Sequence, residues 1–146
     1  MGGINVIRWL LGGIVAGIVI WVFEGLGSLF YMGDMEAALA AHNLSMELSA
    51  GVWVMTIVVS MIVGLTLVFL YAAARPRFGP GPKTATLVAV VLWIASYLLS
   101  LIGYGMIGLY PTSMLALWGV VGLIEIIVAA HVGGWIYREG EQPVSG

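Results

Sequence analysis

The stretch "GLIEIIVAAHVGGWIYRE" (Gly122–Glu139) decides how this chain is read. Up to Tyr137 it is apolar but for Glu125 and His131, and the same character runs back to Thr112. A run over 112–137 is long enough to cross a hydrocarbon core of about 30 Å, which takes roughly 20 helical residues. Water is the wrong solvent for such a segment, so the expected surroundings are lipid.

Working outward, three further runs have the same character, near 8–31, 49–72 and 84–108. The 146 residues are 62% hydrophobic and 8% charged, against about 25% charged in an average soluble domain. An open sheet edge would leave backbone groups unpaired in lipid, so the spans must be helices. The expected fold class is all-α: a polytopic membrane protein, a four-transmembrane-helix bundle forming a single domain over 1–146. The apolar run from Trp9 to Tyr31 exceeds the roughly 7–15 residues of a secretory h-region, so the first span is expected to be a true span.

Charge then orients the bundle. Arg8 opens the first span, Arg75, Arg77 and Lys83 separate the second from the third, and Arg138 follows the fourth. With four spans, all five basic residues fall on one side, and the excess of Lys and Arg on cytoplasmic loops predicts that both termini are cytoplasmic. The outer loop (32–48) carries Asp34, Glu36, His42 and Glu47, and its "GDMEAALAAHNL" favours a short surface helix ending near an Asn. The turn over 73–83, with Pro76, Pro80 and Pro82 spaced by glycines, reads as non-helical and basic. Arg75, Arg77 and Lys83 there are candidates for contact with lipid headgroups or a partner. Tyr and Trp near the ends, Tyr31, Tyr71 and Tyr137 among them, fit interfacial belts.

Several function classes fall away. With no cysteine there is no disulfide, thiolate metal site or cysteine nucleophile. A net charge of −2 without a basic, aromatic-interleaved cluster gives no reason to expect a nucleic-acid partner. No nucleophile elbow, zinc-binding helix motif, di-iron Glu-x-x-His pair or phosphate loop occurs, so no metal and no catalytic residue is assigned and a non-enzymatic role is expected.

Two acids stand inside the spans. Gly13, Gly17 and Glu24 fall within about 40° of one another at 100° per residue, on a small-residue surface suited to close packing. On the fourth span, Trp118, Gly122, Glu125, Ala129 and Gly133 form a similar stripe. Counted from Arg8 and Arg138, both carboxyls come to similar depth in the outer half of the membrane. If the two spans are neighbours, Glu24 and Glu125 would meet and share a proton, and intramembrane acids of this kind mark proton or cation pathways. The bland alternative is polar packing against Ser28, Ser96, Ser100, Tyr97 or Tyr104. His131 lies about 120° and 9 Å from Glu125, on a face with Ile124, Ile127, Val128 and Trp135. It could ligate a haem or a chlorophyll-type pigment, or simply bond a carbonyl as a neutral imidazole.

The stretches "FLYAAARPRFGPGPKTA" (69–85) and "GLIEIIVAAHVGGWIYRE" (122–139), with the acid late in span one, resemble an uncharacterised family of small bacterial four-span integral membrane proteins of unknown function. The resemblance implies the bacterial inner membrane and this topology, and nothing catalytic. Taken together, these features favour an accessory or structural subunit of a larger membrane complex, or a homo-oligomer. A small proton-coupled transporter or channel using Glu24 and Glu125 is the alternative, and a pigment- or haem-binding subunit of a photosynthetic or respiratory assembly a third.

Overall fold

A computed structural model describes residues 3–137. Among them are α1 (Val6–Ala41), α2 (Ala50–Phe78), α3 (Pro82–Trp93), a π-helical turn (Ile94–Leu98), α4 (Leu99–Met106) and α5 (Thr112–Ile136). α3, the π turn and α4 run on as one span, so among the described residues four helices are long and apolar enough to cross a membrane. The chain is therefore a multi-pass, all-helical integral membrane protein. Arg138, the fifth residue of the orientation argument, lies outside the described residues.

Local chemistry sets the helix ends. The Asn5 side chain accepts the Arg8 N–H at 3.1 Å, and the Ser49 hydroxyl accepts that of Val52 at 3.4 Å, so each satisfies an orphan donor of the first turn. Pro82 opens α3, where its missing N–H costs nothing.

Two expectations from the sequence are corrected. The outer segment is not a separate helix: α1 continues unbroken through "MGDMEAALAA" to Ala41, and Asn43 takes the left-handed conformation just beyond, with φ 58°. Met, Glu, Ala and Leu are strong helix formers, and the lone Gly33 costs about 1 kcal/mol, too little to break a helix already propagating. The turn over 73–83 is also shorter than expected, because α2 carries Pro76 inside it and ends at Phe78. A proline that near the C-terminus forfeits one backbone bond. The direction change is made by Gly79–Gly81, whose two glycines have φ of 80° and 118°, conformations open to glycine.

Glycines let the helices close up. A Cβ on Gly64 would run into Gly13 O and Gly17 N, so α2 meets α1 backbone to backbone. A Cβ on Gly12 would lie 2.8 Å from Gly133 O, which marks a second close crossing between α1 and α5. Gly13 and Gly17 therefore pack on α2, whereas Glu24, two turns beyond Gly17, meets Tyr31 and Tyr97. α1 is wedged between two neighbours, and its other small stripe, Gly12 and Ala16, meets α5. The core between the helices holds Ile20, Leu67, Val68, Val88, Ile126, Ala129 and Tyr137. α1 packs on α2 and α5, α5 packs on α3, and α2 closes the ring against α3. Spans one and four are thus neighbours, as the meeting of the two acids requires.

Candidate functional site: an acid pair bridged by tyrosine

Glu125 sits on the buried stripe of α5 with Gly122, Ile126 and Ala129 and is 0% exposed. Its Oε1 accepts the Tyr97 hydroxyl at 2.5 Å. The same hydroxyl lies 3.4 Å from Glu24 Oε2, and Glu24 Oε1 accepts from Tyr31 at 2.7 Å. Among the described residues, no hydroxyl or N–H reaches Glu125 Oε2.

Three helices supply the four groups, and Tyr97 has the longest reach. α1 makes no backbone approach to the π turn, so the phenol must cross α5 to meet Glu24. It does so at Gly122, where a Cβ would sit 2.5 Å from the Tyr97 ring. The π turn delivers the ring: its i→i+5 bonding shifts the angular register of every residue after Trp93. Ser96, in the widened turn, bonds back to Leu92 O at 2.7 Å. Trp93 ties the start of the turn to α5 through Gly119 O at 3.0 Å.

Aromatic rings close one side. Tyr31 stacks on Trp118 with centroids 5.7 Å apart, and Tyr104 stacks on the same indole at 6.1 Å. Tyr110 meets both Tyr104 and Trp118 edge-on. No Lys or Arg occurs from residue 9 to 74 or from 84 to 137, so the basic residues stand only near the helix ends, several turns from either acid.

The sequence brought Glu24, Glu125 and Tyr97 into view, and the structure unites them. Of the other contenders, Ser28, Ser96 and Ser100 bond carbonyls of their own helices, and Tyr104 joins the aromatic stack. Tyr31 was missed. Its place near the end of the apolar run suits an interfacial belt, yet it is 2% exposed and turned inward to Glu24. Its spacing from Glu24, i to i+7, was the available signal, because that interval returns to the same helix face. Glu125 lies about 20 Å along α5 from Thr112 and about 16 Å from Ile136, close to the middle of that helix.

His131 does stand apart. Nδ1 lies 2.7 Å from Ile127 O and Nε2 3.4 Å from Thr86 Oγ1. A carbonyl only accepts, so Nδ1 carries the proton and Nε2 faces the Thr86 hydroxyl. A haem or pigment iron or magnesium would have to displace Thr86. His131 also lines a cavity of about 430 Å³ at the arginine-bearing end, with Tyr71, Arg75, Gly81 and Trp135. Of the basic trio, Arg77 and Lys83 are exposed, whereas Arg75 turns inward over the rings of Tyr71 and Tyr137, at 5.9 and 5.4 Å. Those two tyrosines are buried within the bundle, and their hydroxyls accept the N–H groups of Gly81 and Asn5.

Compared with protein-family models, curated proteins and solved structures, the chain has no significant match. The geometry of the site carries the functional reading alone.

Proposed function

We propose that this protein handles protons within the membrane, as a small proton-coupled transporter or channel whose binding group is the Glu24–Glu125 pair. One observation carries the reading: two carboxyls from different spans meet near the middle of their helices, bridged by a phenol, with Lys and Arg confined to the helix ends. Intramembrane acids are costly, and the usual return on that cost is an ion pathway. Hydroxyl donors aimed at both acids suit a proton better than a metal cation, which needs oxygen lone pairs turned toward it. The reading goes with the arginine-bearing end facing the cytoplasm, both termini with it, in the bacterial inner membrane that the family resemblance implies. Four helices make a thin wall around a pathway, so the working unit is at least a dimer.

The test is reconstitution into liposomes holding a pH-sensitive dye, with a pH step imposed across the bilayer. Wild-type protein is expected to collapse the gradient faster than empty liposomes, and Glu24→Gln and Glu125→Gln are expected to abolish the difference. Identical traces for the wild type and both variants would remove the proton reading.

A second reading, the non-enzymatic subunit of a larger membrane complex or homo-oligomer, is favoured by α2. Its first ten residues, 50–59, are exposed on every side, Trp53 and Met55 included. Lipid or a neighbouring helix must cover them. Co-purification at fixed stoichiometry from the native membrane, in mild detergent, tests that role.

A further inference from the structure

Glu24 and Glu125 are unequal. Glu24 is partly exposed, whereas Glu125 is sealed inside the bundle. A proton bound for Glu125 therefore arrives by way of Glu24, and between the two stands Tyr97. A phenol carries one proton and two lone pairs, so it donates to one partner only and accepts from the other. Tyr97 bonds both acids at once in a single arrangement: one carboxyl is protonated and donates to the phenol oxygen while the phenol O–H donates to the other. At 2.5 Å from Glu125 and 3.4 Å from Glu24, the hydroxyl now donates to Glu125, and its oxygen is turned to receive from Glu24.

We propose that Tyr97 is the proton relay between a Glu24 entry and a Glu125 terminus, and that Gly122 is the residue that makes its seat. This rests on the proton reading above and names the route through the same site. The step balances. Glu24 gives its proton to the phenol oxygen as the phenol gives its own to Glu125. One O–H bond breaks on Glu24 and one on Tyr97, and one forms on Tyr97 and one on Glu125. The phenol ends neutral and the negative charge has moved to Glu24; the relay repeats once Glu125 has released the proton it received. Rotation of the phenol O–H resets the relay. The titratable groups facing Tyr97 are Glu24, Glu125 and Tyr31. Tyr31 donates to Glu24 Oε1, away from Tyr97, and so steadies the entry acid without interrupting the route.

Gly122 supplies an independent handle, because Gly122→Ala leaves every polar group in place. Its new Cβ would fall 2.5 Å from the ring carbon Cε1 and 2.6 Å from Cδ1. Ordinary contact begins at 3.4 Å, so the ring must move by close to an ångström and the hydroxyl with it.

The experiment measures proton flux in the dye-loaded liposomes for the wild type, Tyr97→Phe, Gly122→Ala and a chain with 3-fluorotyrosine placed at position 97. The folded state of each is checked by circular dichroism and gel filtration before reconstitution. Tyr97→Phe is expected to lose about 10²-fold in flux, the low end of what a positioned proton-transfer group contributes, with Gly122→Ala falling between it and the wild type. The more acidic fluorophenol, of nearly the same shape, is expected to displace the pH profile of the flux. Flux within twofold of the wild type in Tyr97→Phe would mean that the carboxyls exchange protons directly, and the relay is then wrong. Flux lost in Tyr97→Phe with an unmoved pH profile for the fluorinated chain reduces Tyr97 to a structural prop, which also overturns it. A wild type that passes no protons fails differently, because the proton reading itself then falls and takes the relay with it.

Discussion

Gly64→Ala is the sharpest test of the packing argument. The added Cβ would meet Gly17 N and Gly13 O of α1, main-chain atoms that no rotamer change can move. Restoring the 3.4 Å at which ordinary contact begins requires α1 and α2 to part by about an ångström along their closest crossing. A gap of 0.5–1 Å forfeits roughly a quarter to a half of each dispersion contact it opens, and overpacking of this kind costs about 1–3 kcal/mol. Acting the other way, alanine is favoured over glycine inside a helix by about 1 kcal/mol. Gly103, in α4, has nothing within 4 Å of its notional Cβ, so Gly103→Ala keeps the propensity gain alone. The two variants make the same chemical change and are expected to differ in stability by about 1–3 kcal/mol, Gly64→Ala being the weaker. Reversible unfolding in mixed micelles measures the difference. Tryptophan fluorescence is a local reporter, since Trp9 bonds Leu65 O at 2.8 Å and Trp21 bonds Thr56 at 3.2 Å across the same interface. A Gly64→Ala protein as stable as Gly103→Ala would refute the close crossing.

Two further outcomes follow from the same contacts. Tyr31→Phe keeps the stack on Trp118 but removes the donor to Glu24, and is expected to lower stability by about 0.5–3 kcal/mol in the same micelle titration, the range for a hydrogen bond to a neutral or a charged acceptor; no loss would mean that Glu24 finds another donor. Because the chain has no cysteine, Glu47→Cys and Lys83→Cys can be labelled one at a time with a membrane-impermeant maleimide: reagent on the outer face of intact cells is expected to modify Glu47→Cys and to spare Lys83→Cys, and the reverse pattern would invert the topology.

Much of this architecture is legible in the residues, and the failures are instructive. Hydropathy locates the spans because it reports where the chain prefers lipid to water. It is silent on whether a helix stops at that boundary, which is why α1 runs ten residues past Tyr31 unannounced. There propensity governs, and nothing in "MGDMEAALAA" is strong enough to end a helix. The acids were found because a carboxyl in an apolar run has few places to go except inward. Tyr31 was lost to a competing rule, since a tyrosine near a span end also suits the interface, and only its partner's position decides between them. The π turn at Ile94–Leu98 had no signature, because "IASYL" reads as ordinary apolar helix. Its register offset is a tertiary fact, fixed by Trp93 and Tyr97 each reaching α5, through Gly119 and across Gly122.

The length of α1 has a mechanical side. Its 36 residues make a rod of about 54 Å, against a hydrocarbon core of about 30 Å. Even tilted by 40°, the steep end of the usual range, the rod stands about 10 Å clear of the core in total. Glu24 is borne on that rod with no break between it and Ala41. A twist or a sideways push at the projecting tip thus reaches the entry carboxyl as through the shaft of a key, with no joint along the way to absorb it.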